Sequence, residues 1–396
     1  MNGEIALRKA AVRRWLAGES KADISRALGR SHGWVRYWLA RYDPDDPEGS
    51  LQNRSRAPHE PYRKWPESVR TQARQSRALR MAAELPGYAY ALIGAQAIHY
   101  EFDELGLQPA PPVRTIHAWL QQAGLIPSRQ PAVAVAQAAK PYPLPVRQAV
   151  NDLHQVDLKG PFYLSGSAQK HYLLALRDFA SKGVVLCPVS QKRAQSIAAF
   201  LVQAWQQRGL PKVLQMDNGL EFRSSNRYPR SFGQVVRLCL DLDVEPLFVP
   251  PREPWRNGFI ENFNGQFKRF LLNRRTLDSF AQLQTAVASL QETVNSTHRL
   301  AALQGQTPDE FVAGQPLRHL DKDYDGHQRD LPLVKGTISF VRLVRNSGRI
   351  TLCAQDKFAV DPTLKWQYVL AQVDVQSQLL HIYHAGELIK TYDYAM

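Results

Sequence analysis

Short apolar runs alternate with helical patterns between residues 148 and 272, and this alternation constrains the fold more than any other feature. The strand-like runs are KHYLLALRDFA from Lys170, GVVLCPVS from Gly183, KVLQMDNG from Lys212 and VEPLFVPP from Val244. Residues 194–207 instead repeat apolar side chains at helical spacing, and a further helix is expected within residues 254–272. Strands that alternate with helices predict an α/β domain, which we place at residues 148–275.

Residues 1–45 carry the pattern of a helix-turn-helix unit. Ser20 and Ser31 stand where they can cap helices, and Gly29 breaks the chain between them. The first helix is expected to bury one apolar face, made of Ile5, Val12, Trp15 and Leu16. The third helix is expected to enter the major groove of DNA. Its candidate DNA contacts are His32, Arg36 and Arg41. The alternative is a plain three-helix bundle with solvated arginines.

Residues 66–127 predict a second helical DNA-binding unit, similar to a helix-turn-helix or winged helix. A helix is expected over residues 68–85, and Pro112 can begin another that Gly124 ends. The outward residues of that last helix are candidate DNA contacts, namely Arg114, Thr115 and His117. Segments rich in Pro, Ala and charged residues predict linkers at 46–65 and 128–147.

The C-terminal third changes to an all-strand pattern. A helical extension and linker is expected over residues 276–330, followed by five strand-like runs in residues 331–396. NSG at 346–348 and AGE at 385–387 are hairpin signals. These signals predict a small all-β barrel, similar to a Src-homology-3 domain. Its basic residues are expected to contact DNA or to support oligomerisation, and they are Lys335, Arg342, Arg345 and Arg349.

The charge of the chain favours a polyanionic partner. Lys and Arg number 50 and Asp and Glu 36, giving a net charge of +14 and a pI near 9.7. No apolar run reaches the roughly 18 residues that would span a bilayer, and the N-terminus lacks a signal-peptide pattern. Three distant cysteines make a zinc knuckle or disulfide framework improbable. We therefore expect a cytoplasmic, nucleoid-associated protein that binds DNA and no membrane.

Three acidic residues stand in contexts that favour a metal site. Asp157 interrupts the run HQVDLKG, Asp217 ends KVLQMD, and Glu261 lies in PWRNGFIENFNGQFKRF. A carboxylate at the end of a buried strand is costly unless it is paired or binds a metal. Each one alone is more often solvated or salt-bridged. Together they form an oxygen-rich set that suits Mg²⁺.

The periodicity around Glu261 predicts which way its helix faces. Four phenylalanines share one face at spacings of 4, 4 and 3, and they are Phe259, Phe263, Phe267 and Phe270. Glu261, Gly265 and Lys268 are spaced 4 and 3 on nearly the opposite face. The missing side chain at Gly265 leaves room for a phosphate to approach. Such a helix could place a carboxylate at a metal and a cation on DNA.

Several motifs in this order identify a family resemblance. They are the strand with Asp157, MDNG at Met216–Gly219, PPREPWRNGFIENFN at Pro250–Asn264, GSLQNRSRAPH from Gly49 and NSTHRLAALQGQTPDEF from Asn295. DNG alone is a weak signal, whereas DNG followed by PxxPxxNGxxE and a downstream lysine is strong. The sequence resembles insertion-sequence transposases with a retroviral-integrase-type core, the DDE superfamily on a ribonuclease-H-like fold.

The resemblance implies a site and a mechanism. Asp157, Asp217 and Glu261 would be catalytic and hold two Mg²⁺ ions, for which Mn²⁺ could substitute, at a separation of about 3.5–4 Å. Asn257 would belong to the loop leading into the third acid, and Lys268 would hold the element's end; both are candidate DNA contacts. An element end would be hydrolysed, and its 3′-hydroxyl would then attack target DNA, with no covalent enzyme–DNA intermediate.

The sequence departs from the family pattern in two places. Asp217 and Glu261 are 44 positions apart, longer than usual, and the excess is expected at residues 223–233 as a surface insertion near the site. The N-terminal zinc-binding His/Cys arrangement of retroviral integrases is absent, and helix-turn-helix units take its place.

The function that follows is metal-dependent 3′-end cleavage and strand transfer of a mobile element. Two element ends must be held together, so we expect a homo-oligomer on double-stranded DNA, with a helper ATPase as a further possible partner. Two alternatives stay open at this point. One is a domesticated, catalytically silent DNA-binding regulator, and the other is a ribonuclease-H-like structure-specific nuclease.

Overall fold

The computed structural model describes residues 2–53, 65–126, 141–224, 228, 230–353 and 356–396. The chain forms two compact units, residues 1–66 and 67–396. Much of the linker predicted at 46–65, and most of that predicted at 128–147, lies outside the described residues.

The first unit contains three helices: α1 (Asn2–Leu16), α2 (Lys21–Leu28) and α3 (His32–Arg41). Both predicted serine caps are confirmed, because the hydroxyls of Ser20 and Ser31 each accept a hydrogen bond from a backbone N–H of the next turn at 3.2 Å. Gly29 ends α2 in the left-handed region, with φ 60°. The turn between α2 and α3 therefore has helix-turn-helix geometry.

The core of this first unit differs from the predicted face of α1. Ala11 and Val12 of α1 are buried, whereas Trp15 is 41% and Leu16 is 63% exposed. The prediction that both would be buried was wrong. The remaining core residues come from α2, α3 and the following segment, and they are Ile24, Val35, Trp38, Leu39 and Leu51.

The second unit opens with three helices: α4 (Glu67–Ala82), α5 (Ala95–Glu104) and α6 (Val113–Gln122). The arginines of α4 hold these helices together. Arg77 is buried and donates to the carbonyls of Ile93 and Leu125. Arg80 pairs with Glu101 at 2.8 Å. These cations are therefore engaged inside the protein.

The rest of the second unit is built on a nine-stranded sheet. Its helices are α7 (Ala194–Arg208), α8 (Leu220–Arg223), α9 (Gln234–Asp241), α10 (Gly258–Phe267), α11 (Phe280–Ser296) and α12 (Pro308–Val312). Its strands are β1 (Leu153–Phe162), β2 (His171–Asp178), β3 (Val184–Val189), β4 (Val213–Met216), β5 (Glu245–Phe248), β6 (Thr337–Leu343), β9 (Tyr368–Asp374), β10 (Leu379–His384) and β11 (Glu387–Asp393). Strands β7 (Arg349–Thr351) and β8 (Lys357–Ala359) form a separate pair.

Half of this sheet confirms the predicted ribonuclease-H-like core. The order is β3-β2-β1-β4-β5, with β1 to β3 antiparallel and β1, β4 and β5 parallel. Helices cover both faces: Phe200 and Trp205 of α7 are buried on one, and Phe263 and Phe267 of α10 on the other. All eight residues of β2 are buried, which explains the apolar run from Tyr172 to Leu176 at its centre.

The separate C-terminal barrel is not confirmed. Strand β6 pairs in parallel with β5, and β9, β10 and β11 follow antiparallel, so these strands extend the core sheet. The rings of Phe248 and Phe340 stack across the junction, with centroids 5.1 Å apart. The AGE signal at 385–387 is confirmed, because β10 and β11 pair across it. The NSG signal at 346–348 does not give a hairpin, because β6 pairs with β5 and β9 whereas β7 pairs with β8. Strands β6, β9, β10 and β11 extend the open edge of the core, and the described strands do not close on themselves.

Candidate active site

Asp157 and Asp217 occupy matching positions on neighbouring parallel strands. Strands β1 and β4 pair in register, with Gln155 opposite Gln215. Asp157 and Asp217 each follow two residues later, so both lie where β4 ends. Because parallel strands are about 4.8 Å apart, this register brings the two carboxylates to the same edge of the sheet. The structure therefore brings the first two predicted acids together.

Asp157 is half-buried, and Asn264 is its side-chain partner among the described residues. Asn264 of α10 donates a hydrogen bond from Nδ2 to Asp157 Oδ2 at 2.5 Å. Desolvation raises the pKa of Asp157, the Asn264 hydrogen bond lowers it, and the negative charge of Glu261 raises it again. The net shift is upward. Burial and the approach of a second carboxylate thus both favour an added positive charge at this point.

Asp217 begins a tight turn in which Gly219 lies close to its carboxylate. The backbone N–H of Gly219 donates to Asp217 Oδ1 at 2.8 Å. A Cβ on Gly219 would lie 2.9 Å from that oxygen and 3.0 Å from the carboxyl carbon of Glu221. The Asp217 residue is exposed to solvent. Desolvation by nearby protein atoms raises the pKa of its carboxyl, the Gly219 hydrogen bond lowers it, and the charges of Asp157 and Glu221 raise it further.

Glu261 is exposed in the first turn of α10, as the phenylalanine spacing predicted. Phe263, Phe267 and Phe270 are almost fully buried and Phe259 is half-buried, while Glu261, Gly265 and Lys268 are exposed. Lys268 lies where α10 gives way to a π-helical turn, Lys268–Leu272. The structure thus brings Glu261 near Asp157 and places Lys268 two turns further along the same face.

A buried polar cluster fixes α10 against the two strands. Gln215 Nε2 donates to Asn257 Oδ1 at 3.2 Å and to the carbonyl of Arg256 at 3.0 Å. Asn257 Nδ2 donates to the carbonyl of Val156 at 3.2 Å. Gln155 Oε1 accepts from the N–H of Ile260 at 3.0 Å. The strands that carry the aspartates therefore hold the start of the helix that carries Glu261.

This cluster disagrees with the DNA contact predicted for Asn257. The side chain is 3% exposed, and both ends of its amide are bound inside the protein. The Asn257 side chain instead positions the start of α10 against strands β1 and β4. The sequence analysis also missed Gln155, Gln215 and Asn264. The available signal was a polar amide within an apolar run, since such a residue must find a buried partner.

Two family models match the part of the chain that carries these residues. Residues 147–254 and residues 242–308 each match a family described as "Integrase core domain". Residues 147–308 of the chain are thus similar to integrase core domains. Residues 2–51 match a family described as "Homeodomain-like domain", which covers α1 to α3.

Similar proteins occur in insertion elements. The chain is 27% identical over 150 residues to the insertion element IS407 uncharacterized 31.7 kDa protein of Burkholderia multivorans, covering 38% of this chain and 51% of that protein. It is 27% identical over 141 residues to the insertion element IS476 uncharacterized 39.2 kDa protein of Xanthomonas euvesicatoria, covering 36% and 38%. The chain thus spans about half, or less, of the length of these relatives.

Solved structures of viral integrases are also similar. The HTLV-2 integrase catalytic core domain in complex with magnesium (trimeric form) has a TM-score of 0.32 and 20% identity, covering 41% of this chain and 95% of that chain. The simian T-cell lymphotropic virus intasome in complex with PP2A regulatory subunit B56 gamma has a TM-score of 0.37 and 15% identity, covering 70% and 88%.

The donors at the edge of this integrase core fit a hard cation. They are carboxylates and a side-chain amide, the oxygen ligands that Mg²⁺ prefers. Oδ1 of Asn264 is buried and has no hydrogen-bond partner among the described residues, although Nδ2 of the same amide is bound to Asp157. Within the described ranges, however, no three His, Cys, Asp or Glu side chains are already gathered closely enough to hold a metal.

The predicted DNA contacts of the first unit differ in their surroundings. His32 and Arg36 on α3 are exposed. Arg41 is half-buried, lies over the ring of Trp38 at 4.8 Å, and donates to the carbonyl of Gln52 at 2.5 Å. Its guanidinium therefore already has partners inside the first unit, and His32 and Arg36 are the better placed candidates.

The remaining predicted contacts lie in the second unit. On α6, Arg114 and His117 are exposed and Thr115 is half-buried. Arg342, expected at a DNA surface, is instead 2% exposed within the sheet.

The ends of the predicted insertion at 223–233 meet, because the N–H of Gly233 donates to the carbonyl of Arg223 at 2.8 Å. Residues 225–227 and 229 of that insertion lie outside the described residues.

No helix of the described chain is long and apolar enough to cross a membrane.

Proposed function

We propose that this protein is a DNA transposase that cleaves the 3′ ends of a mobile element and joins them to target DNA. One observation carries the proposal. Asp157 and Asp217 each follow two residues after the paired Gln155 and Gln215 of adjacent parallel strands, and a buried amide cluster fixes the Glu261 helix against those same strands. The integrase core match over residues 147–308 and the similarity to insertion-element proteins support this reading.

Asp157, Asp217 and Glu261 are the proposed metal ligands. When bound, two Mg²⁺ ions, or Mn²⁺ in their place, would promote deprotonation of the attacking hydroxyl and offset charge on the scissile phosphate. The chain's own task is to present its carboxylates ionised, and Asn264 assists because its hydrogen bond favours the ionised form of Asp157. Lys268 is proposed to bind a phosphate of the element's end.

The reaction needs no side-chain nucleophile. In strand transfer, the 3′-oxygen of the element bonds to phosphorus of the target while one target phosphodiester bond to a 3′-oxygen breaks. The proton of the attacking hydroxyl leaves, and the departing 3′-oxygen takes one up. Phosphodiester bonds are conserved in number, so no external energy source is required for the joining step.

The helical units are proposed to supply DNA binding. Exposed His32 and Arg36 on α3, and exposed Arg114 and His117 on α6, are placed to contact an element end. One chain provides one proposed site, whereas a mobile element has two ends, so a homo-oligomer on DNA is part of the proposal. A helper ATPase and a nucleoid location remain expectations from the sequence.

Strand joining is the experiment that separates this function from its alternatives. Purified full-length protein is first footprinted on the DNA that flanks its own coding sequence. A duplex pre-nicked at the bound boundary is then incubated with supercoiled plasmid and Mg²⁺. Covalently joined product supports a transposase. Cleavage of RNA–DNA hybrids or junctions without joining would indicate a nuclease, and specific binding without any chemistry would indicate a regulator.

A further inference from the structure

A strongly basic cleft lies beside the proposed active site. It has a volume of about 560 Å³ and is formed where β6 and β7 meet the loops after β4 and β5. Its charged lining residues are four arginines and one glutamate: Arg223, Arg252, Arg342, Arg345 and Glu253. The glutamate is engaged elsewhere, because it accepts from Arg256 Nε at 3.1 Å and from the Tyr368 hydroxyl at 2.7 Å. The cleft therefore has a positive surplus.

Arg342 places a buried charge under this cleft. Its guanidinium donates to five backbone carbonyls and to Oδ1 of Asn218, the last at 2.8 Å. Within the described part of the chain, none of these acceptors is a carboxylate. Buried charges are normally paired with an opposite charge. An anion in the cleft would supply the missing countercharge.

Two further arginines offer unused donors at the mouth of the cleft. Arg252 and Arg345 are exposed, and neither guanidinium makes a hydrogen bond or ion pair with the residues that the structure describes. Arg252 holds a left-handed backbone conformation, with φ 65°. Residues other than glycine rarely adopt this backbone conformation, and strained positions of this kind cluster at binding sites.

The cleft adjoins the catalytic edge of the sheet through Asn218. This residue follows Asp217 directly, donates from Nδ2 to the carbonyl of Val249 at 2.6 Å, and accepts from Arg342. A ligand in the cleft would therefore lie next to the turn that carries the second proposed metal ligand. A DNA strand that leaves the active site on this side would pass over the cleft.

We propose that this cleft binds one backbone phosphate of the DNA strand beside the scissile position, with Arg252 and Arg345 as the direct donors. The buried charge of Arg342 strengthens the attraction and holds the Asn218 turn in place. A phosphodiester fits because the planar guanidinium of an arginine can donate two parallel hydrogen bonds to its oxygens. The inference rests on the proposed function, since it assumes that DNA occupies the adjoining edge.

The test is a phosphate-by-phosphate binding experiment on the full chain. Element-end duplexes carry a neutral methylphosphonate at one position at a time near the proposed scissile bond. Binding is measured without divalent metal, so that no strand is cut. The proteins are the wild type, Arg252→Ala/Arg345→Ala, and the control Lys322→Ala/Lys365→Ala, which removes two exposed charges outside the cleft.

We expect one neutralised phosphate to weaken wild-type binding about tenfold, the size of a charged hydrogen-bonding contact. That penalty should vanish in the arginine variant and persist in the control. The slope of log affinity against log salt should also fall by about 1 in the arginine variant. Equal penalties at every position in all three proteins would overturn the proposal, as would the same loss of slope in the lysine control.

The outcome also separates this inference from the function it rests on. If the wild type binds the element end with the expected phosphate pattern but never joins strands, the transposase function is contradicted and the phosphate site in the cleft is supported. If the wild type joins strands but no phosphate depends on Arg252 and Arg345, the transposase function is supported and the phosphate site is refuted.

Discussion

Gln215 donates a hydrogen bond from Nε2 to Oδ1 of Asn257 at 3.2 Å, and this contact joins the strand that leads to Asp217 to the turn that leads to Glu261. Both side chains are almost fully buried. A buried amide that loses its partner keeps the cost of desolvation, so the pair resists separation. The relative position of two proposed metal ligands thus depends on a contact that contains neither of them.

Replacing Asn257 tests this coupling. Asn257→Ala leaves the carbonyl of Val156 without its donor and removes one acceptor from Gln215. We expect the free energy of unfolding to fall by roughly 1–3 kcal/mol and strand joining to fall with it. Chemical denaturation and the joining assay measure the two effects. Asn262→Ala, an exposed position on α10, is the control and should change neither. Full activity in Asn257→Ala would refute the coupling.

The hydrogen bond from Asn264 to Asp157 predicts a shift in pH dependence. Asn264→Leu keeps the side-chain bulk but removes a donor that lowers the pKa of Asp157, so that pKa should rise further. A protonated carboxylic acid is a poor metal ligand. As pH falls, joining activity should therefore be lost at a higher pH in the variant than in the wild type. Gln266→Leu on the same helix should leave the pH profile unchanged, and superimposable profiles for Asn264→Leu would contradict the assignment.

The burial of His298 predicts that the free energy of unfolding falls as the pH is lowered. Burial lowers its pKa to about 4, while its Nε2 contacts the carbonyl of Tyr90 at 2.9 Å. Below the unfolded-state pKa of about 6.5, the unfolded chain binds a proton that the folded chain refuses. His298 should thus cost roughly 2 kcal/mol of stability between pH 7 and pH 5. Denaturation at the two pH values should show a smaller loss in His298→Gln. An equal loss would mean that His298 is protonated in the fold.

Two glycines provide a matched pair. A Cβ at Gly219 would meet Asp217 Oδ1 at 2.9 Å, whereas a Cβ at Gly265 on α10 has nothing within 4 Å. Gly219→Ala should disturb the turn at Asp217 and lower both stability and joining. Gly265→Ala should raise stability by up to about 1 kcal/mol, because alanine is the better helix former. Thermal melts of both variants measure this contrast, and a stable, fully active Gly219→Ala would remove the close-approach argument.

Local patterns in the sequence were enough to predict much of this fold. Ser20 and Ser31 cap helices where the sequence placed them, and the apolar run of β2 is buried throughout. The spacing of the phenylalanines, Glu261 and Lys268 correctly predicted which face of α10 is buried and which is exposed. In each case a short stretch of chain determines the outcome through backbone geometry and burial.

Long-range pairing is what the sequence analysis could not supply. Nothing in the pattern of residues 337–343 says that β6 will extend the edge of β5, so a closed barrel was predicted instead. The same reason hid the buried position of Arg342, whose acceptors come from three different strands and a turn. Gln155 and Gln215 were overlooked because their partners lie about 100 and 40 residues away in the chain.

The most direct test of the central claim compares conservative variants of the three acids in one strand-joining assay. Asp157→Asn, Asp217→Asn and Glu261→Gln keep side-chain size and remove one negative charge each, while Asp323→Asn removes an exposed charge elsewhere. We predict that the first three variants bind the element end as the wild type does and join no detectable DNA, and that Asp323→Asn joins normally. Joining at the wild-type rate by any of the first three would contradict a shared metal site built from these carboxylates.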